Sequence, residues 1–297
     1  MTRKKKQHLD VYQSITNQII AAIEAGTGDV KMPWHRSGFN QTRPVNISST
    51  KPYQGINIIS LWAAAMNGGY NNGLWGTYRQ WQEAGAQVRK GEKSSFIVFY
   101  KQFENDEAND KEEQSERRMF MARASRVFNV AQVEGYELPD QPGPTENLVT
   151  RIASVEEFIG RTGAIIYASG DQACYNPVTD QISMPDQHRF FDTDTASATE
   201  HYHSVLLHEL THWTGAKHRL DRTFGNRFGD HAYAIEELTA ELGAAFLCAD
   251  LGISASLRED HACYINNWLS AMKADAKTVF AAASAASKAM EYLQELE

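Results

Sequence analysis

The chain has 297 residues, 42% of them hydrophobic and 10% aromatic, with a formal net charge of -8. This is the profile of a folded soluble protein, long enough for two domains with their own cores, and the absence of an apolar run of eighteen residues excludes a bilayer-spanning helix. The three cysteines, Cys174, Cys248 and Cys263, stand in no C-x-x-C pair, so neither a disulfide framework nor a thiolate zinc site is indicated.

The charge is unevenly spread. Residues 1–100 hold 12 Lys+Arg against 5 Asp+Glu, whereas residues 101–297 hold 17 against 32. A basic first part beside an acidic second part points to a polyanion as partner of the first. The start M-T-R-K-K-K-Q is basic, but it runs into an amphipathic segment with Gln13, Asn17 and Gln18 where a secretory leader would have an apolar core. A cytoplasmic protein is therefore expected.

In chain order, Val11, Ile15, Ile19, Ala22 and Ile23 recur at helical spacing over Asp10–Ala25, and Gly26 and Gly28 stop the pattern. Gly55–Met66 reads as a second helix ended by Asn67-Gly68-Gly69, and Thr77 caps a third, T-Y-R-Q-W-Q-E-A. A turn at Lys90-Gly91 leads into the strand S-F-I-V-F-Y-K, and R-M-F-M-A-R-A-S-R-V-F-N-V is its expected partner. The charged stretch Glu104–Glu116 between them reads as a solvated loop. L-P-D-Q-P-G-P-T-E-N, with three prolines and a glycine, is the expected boundary. This divides the chain into a domain over 1–137, a linker over 138–148 and a domain over 149–297. Ser154, with Glu157 three residues on, reads as the N-cap of the next helix. A-I-I-Y and Q-I-S-M-P read as strands flanking the turn Asn176–Asp180. Helical patterns then run over His203–Trp213, Tyr233–Leu251 and an alanine-rich pair from about Arg258. Strands and helices without regular alternation give an α+β fold in two domains.

L-L-H-E-L-T-H-W-T-G-A-K-H carries the chemistry. On a helix, His208 and His212 lie one turn apart on one face and can aim imidazole nitrogens at one ion. Glu209 lies beside that face and is the candidate catalytic base of a zinc hydrolase. Three protein ligands are usual for such a site, so a third is required. His218 would supply it in a metzincin, but no methionine turn follows; Met272 and Met290 stand in alanine-rich helical surroundings. The helix A-I-E-E-L-T-A-E-L-G-A-A-F-L offers carboxylates instead. Glu237 is the favoured ligand and Glu241, one turn on, the candidate for orienting a ligating histidine; Glu236 and His218 are the alternatives. Ala240, Gly243 and Ala244 would allow close approach of a second helix. Catalysis would also need an electrophile for an oxyanion, for which His218, Arg222, His231 and Tyr233 are candidates.

In the first part, four tryptophans, at 34, 62, 75 and 81, stand among the cations. Aromatic faces that stack on bases and cations that follow phosphates are the means of holding single-stranded nucleic acid. Trp62 and Trp81 read as core. Trp34, Phe39 and Tyr53, in irregular segments, are the expected stacking residues, with Arg36, Arg43, Lys51, Arg89, Lys90 and Lys93 as phosphate contacts.

Together M-P-W-H-R, K-P-Y-Q-G-I-N-I-I-S-L-W, T-Y-R-Q-W-Q-E-A-G-A-Q-V-R-K-G-E-K-S-S-F-I-V-F-Y-K, H-E-L-T-H-W-T-G and A-I-E-E-L-T-A-E-L resemble the ArdC family of antirestriction proteins, over essentially the whole chain and in order. The resemblance implies a plasmid-borne protein with an N-terminal domain that binds single-stranded DNA and a C-terminal zincin-like metallopeptidase domain. It implies protection of incoming conjugative DNA from restriction enzymes, and a metal site in which Glu237 takes the third-ligand position. Zn2+, or another divalent ion such as Mn2+, is the expected cofactor, and single-stranded DNA the expected partner, with a protein substrate or a restriction enzyme as a second. The competing reading is a DNA-associated zinc protease, similar to the SprT-like enzymes, that cleaves a DNA-bound protein.

Overall fold

The computed structural model describes residues 10–26, 32–35, 42–103, 119–138, 147–224, 231–255 and 262–296. The expected loop over 104–116 and most of the expected linker lie outside these residues. The fold is α+β.

The N-terminal half opens with α1 (Val11–Gly26), followed by β1 (Val45–Asn46), α2 (Ile56–Gly68), β2 (Leu74–Gly76), α3 (Tyr78–Glu83), β3 (Gln87–Val88), β4 (Ser95–Phe103), β5 (Met119–Asn129) and β6 (Val133–Glu134). Gly69, in the left-handed region at φ 65°, ends α2, while a reciprocal box between Thr77 and Gln80 starts α3. Strands β4 and β5 form a long antiparallel hairpin in which Ser95 faces Val127 and Phe103 faces Met119; β2 and β1 extend the sheet in the order β1-β2-β5-β4.

The C-terminal half contains α4 (Leu148–Arg161), β7 (Ile165–Ala168), β8 (Cys174–Asn176), β9 (Gln181–Met184), α5 (Ala198–Thr214), α6 (His231–Leu251), α7 (Ala262–Ala274) and α8 (Thr278–Gln294). The N-cap of α4 is Asn147, whose side chain accepts from Thr150 N at 2.9 Å, and not Ser154, whose hydroxyl bonds back to the Thr150 carbonyl inside the helix. A Ser-x-x-Glu pattern satisfies a helix interior as readily as its start when another cap lies one turn upstream. The three-stranded sheet has the order β7-β9-β8, which leaves β8 on an edge.

The two halves share one apolar core, in which Ile15, Ile19, Trp62 and Ile97 from the first half are continuous with Leu210, Phe246, Trp268 and Met290 from the second. Trp62 meets Phe246 with ring centroids 5.8 Å apart, and the Thr16 hydroxyl donates to the Ala276 carbonyl at 2.7 Å. No helix among the described residues is long and apolar enough to cross a membrane.

Candidate metal centre

Helix α5 begins where the Ser197 hydroxyl accepts from Glu200 N and the Glu200 carboxylate returns to Ser197 N at 3.0 Å. The second Glu200 oxygen accepts from the Ser254 amide and hydroxyl, each at 3.1 Å, which ties the start of α5 to the chain just beyond α6. The two helices pack closely because residue 243 is glycine: a Cβ there would stand 2.5 Å from Thr211 Cγ2.

This packing brings His208, His212 and Glu237 together. The two Nε2 atoms lie 3.2 Å apart, and each lies 3.6 Å from a Glu237 carboxylate oxygen. A tetrahedral ion with bonds of about 2.0–2.1 Å separates its donors by ~3.3 Å, so these spacings suit a divalent metal with little rearrangement. Burial opposes ionisation of Glu237, but the hydrogen bond from His208 and the charges of the two imidazoles outweigh it and hold the carboxyl at about 2.

Glu236, the adjacent alternative, points elsewhere. His212 Nδ1 donates to its Oε1 at 3.1 Å, and the Arg222 guanidinium donates to its two oxygens at 2.9 and 3.0 Å. Arg222 also reaches the Thr211 carbonyl at 2.6 Å. Glu241, on the other side, presents Oε2 to His208 Nδ1 at 3.7 Å. Each histidine therefore has its own carboxylate behind it, hydrogen-bonded at His212 and at a longer ion-pair distance at His208; outer carboxylates of this kind orient imidazoles at metal sites.

His218 is not part of the cluster. After α5 the chain turns back through Gly215, and the bonds Leu220 N to Thr214 O and Arg222 N to Gly215 O bring Arg222, not His218, against the helix. His218 is 64% exposed and lies 3.4 Å from Asp180. Arg219 beside it pairs with the same aspartate, donates to the Trp213 carbonyl at 2.6 Å and lies 3.7 Å over the Trp213 ring. Asp180 further accepts from the Tyr175 hydroxyl at 2.9 Å, so the residues after α5 brace the β8–β9 hairpin.

That hairpin matters because β8 touches Glu209. The Tyr175 amide donates to Glu209 Oε2 at 2.8 Å and holds the buried carboxylate beside the histidines. A cavity of about 340 Å3 opens in front, bordered by Cys174, Tyr175, Glu209, Phe224, Tyr233 and Tyr264 as well as the triad. Of the candidate electrophiles, Tyr233 lines this cavity; Arg222 is committed to Glu236, and the His231 side chain lies outside the described residues. Burial, the Tyr264 hydroxyl at 3.1 Å and the nearby Glu237 raise the Tyr233 phenol far above its ordinary value, which keeps it a hydrogen-bond donor. Tyr175, Cys174 and Arg222's carboxylate contact carried no signal in the sequence, since each role arises from a long-range approach.

The expected nucleic-acid contacts fare differently. Trp34 is 2% exposed and Tyr53 is buried, which corrects the expectation that their rings are open to stack on bases. Trp34 Nε1 donates to Glu241 Oε1 at 3.2 Å across the two halves, and Asn46 donates to the Tyr53 hydroxyl at 2.9 Å. Arg43 is likewise engaged, by both oxygens of Asp250, and Arg89 by Glu92 and the Ala131 and Val133 carbonyls. Lys51, Lys90 and Lys93 face solvent. Arg36 and Phe39 lie outside the described residues.

A buried H-E-x-x-H helix packed against a glutamate helix defines a zincin-like domain, and residues 153–285 match the family of zincin-like metallopeptidases. Residues 9–128 match the N-terminal domain of anti-restriction factor ArdC. The crystal structure of the antirestriction ArdC protein from plasmid R388 in its metal-free form superposes with a TM-score of 0.76 at 37% identity, covering 97% of both chains. Its Mn(II)-bound structure gives 0.74 at 35% identity, covering 97% of this chain and 98% of that one. An uncharacterized protein, y4eC, of Sinorhizobium fredii (strain NBRC 101917 / NGR234) is 47% identical over 96% of this chain and 91% of its own length. The DNA primase TraC of Escherichia coli is 33% identical over 96% of this chain, which spans 20% of that protein. The chain belongs to the ArdC family of antirestriction proteins.

Proposed function

We propose that this protein is a cytoplasmic antirestriction factor that binds single-stranded DNA without sequence preference and shields an incoming conjugative plasmid strand from restriction enzymes. The observation that carries the reading is the end-to-end likeness to the R388 antirestriction protein; the likeness to a DNA primase supports a DNA partner. We assign DNA binding to residues 1–137 and the metallopeptidase-like site to 149–297, with 138–148 between them.

The surface supports a strand path. A cleft of about 710 Å3 lies between the residues around Asn46–Asn57 and α8, with Lys51 and Lys288 on its walls and Phe99 at its lip. Phe99 is 51% exposed and faces Arg123 across the β4–β5 pair. An open aromatic ring among cations is what stacking and phosphate contact require. In this reading Phe99 replaces the buried Trp34 and Tyr53, while Lys51, Lys90 and Lys93 keep their role.

His208, His212 and Glu237 hold a zinc or manganese ion, which when bound supplies Lewis acidity at the cavity. As water attacks a peptide carbonyl carbon, Glu209, fixed by the Tyr175 amide, takes its proton and passes it to the leaving amine when the C–N bond breaks, while Tyr233 donates to the oxyanion. Cleavage of a DNA-bound protein is the second reading, favoured by the presence of a buried base, a phenol and a cavity at one site. Glu209→Ala separates the two. Occlusion predicts unchanged plasmid protection and unchanged oligonucleotide affinity; proteolysis predicts lost protection with affinity intact. Wild-type protein that fails to bind single-stranded oligonucleotides at low salt would refute both.

A further inference from the structure

We infer that the metal centre is completed from the N-terminal half: Trp34 and His35 are positioning residues that fix Glu241 and, through it, the His208 imidazole. The inference rests on the reading of His208, His212 and Glu237 as the ligand set.

The two histidines are supported in different ways. Behind His212, Glu236 is clamped by Arg222, and all three belong to the C-terminal half. Behind His208 stands Glu241, a buried carboxylate that is 4% exposed. It accepts from the other half of the molecule: Trp34 Nε1 at 3.2 Å and His35 Nε2 both bond to Oε1. A carboxylate at this depth is costly without polar donors, and the strap contributes two to Glu241. With Oε1 engaged, Oε2 is the atom turned toward His208 Nδ1. That contact is 3.7 Å, so Glu241 acts on the His208 ring as a fixed charge on its outer side, and the strap thereby biases the direction of Nε2.

The strap is itself well seated. The Trp34 indole is buried, and its ring meets the His35 ring edge-on with centroids 6.2 Å apart. Further along α6, Arg43 grips Asp250 with two hydrogen bonds, so the N-terminal half also holds the metal-bearing helix near its far end. Metal occupancy and docking of the N-terminal half are consequently linked. An ion that orders His208 strengthens the Glu241 contact, and any change in the N-terminal half that withdraws the strap lowers metal affinity by the same factor.

The test uses the full-length chain and Co2+, with binding followed by calorimetry and by the visible absorption of the ion. Loss of an outer-sphere partner costs a ligand site about 10–100-fold in affinity. Because His35 acts through Glu241, His35→Ala is expected to weaken Co2+ by about tenfold, the lower end of that range, and to alter the absorption envelope. His35→Gln, which keeps an N–H donor for Glu241, should recover most of both, and Trp34→Phe, which removes one donor but little volume, should give a smaller loss. Circular dichroism of the metal-free variants establishes that they are folded, and if His35→Ala is not, His35→Gln and Trp34→Phe decide. Wild-type affinity and spectrum in folded His35→Ala and Trp34→Phe would overturn the inference. If His208→Ala also retained wild-type affinity, the ligand reading would fail instead.

Discussion

Glu200 offers a sharp test of how the metal helix is held in place. Its four accepted hydrogen bonds join the start of α5 to Ser254, and the side chain is buried. In Glu200→Gln one carbonyl oxygen remains; at the amide nitrogen the serine hydroxyl can turn to accept, but the backbone N–H beside it loses its acceptor. A hydrogen bond to a charged group contributes about 1.5–3 kcal/mol, and the loss is therefore of about that size. At 2–4 °C per kcal/mol for a chain of roughly this size, the melting temperature should fall by roughly 3–12 °C. The pH dependence adds a second check. Burial opposes ionisation of Glu200, but the backbone and hydroxyl donors of Ser197 and Ser254 outweigh it and hold the carboxyl below its ordinary range. A group depressed in the folded state stabilises fully above its unfolded pKa, and that contribution disappears as pH falls through the folded value. Urea unfolding of both proteins should thus show the full gap at neutral pH, closing as the solution is acidified through the glutamate range. A Gln variant as stable as wild type at pH 7, or a gap that does not change with pH, would refute the argument.

Other substitutions probe the same frame. Gly243→Ala places a methyl group against the stiff, buried Thr211 side chain; we expect a loss of about 1–3 kcal/mol in urea unfolding, with weaker metal binding as α5 and α6 part. Arg219→Lys cannot pair with both oxygens of Asp180 while also donating to the Trp213 carbonyl. It should lower stability by about 1 kcal/mol and leave metal affinity unchanged, readable in one urea series and one titration.

The helices and much of the site can be read from the sequence because their signals are local. His208 and His212 are tied by the period of a single helix, and the Glu237 and Glu241 positions by the period of another. Roles that depend on distant approach leave no such trace. Trp34 stands in an irregular segment beside proline, which by local rules is accessible, yet the segment packs on α6 and buries the ring against Glu241. Strand β8 is three residues long, too short for an alternation to register, although it positions Glu209. Glu236 and Glu237 are adjacent carboxylates, and only the return of Arg222 after Gly215 separates the residue that holds a histidine from the one that faces Nε2.

If Glu237 is the third metal ligand, titration of Mn2+ or Zn2+ into metal-free wild type, Glu237→Ala and His218→Ala will separate it from His218. We expect one site per chain in wild type and in His218→Ala with the same affinity, and a loss of at least about 100-fold in Glu237→Ala, beyond the outer-sphere range. Retained affinity in Glu237→Ala, together with its loss in His218→Ala, would contradict the Glu237 assignment.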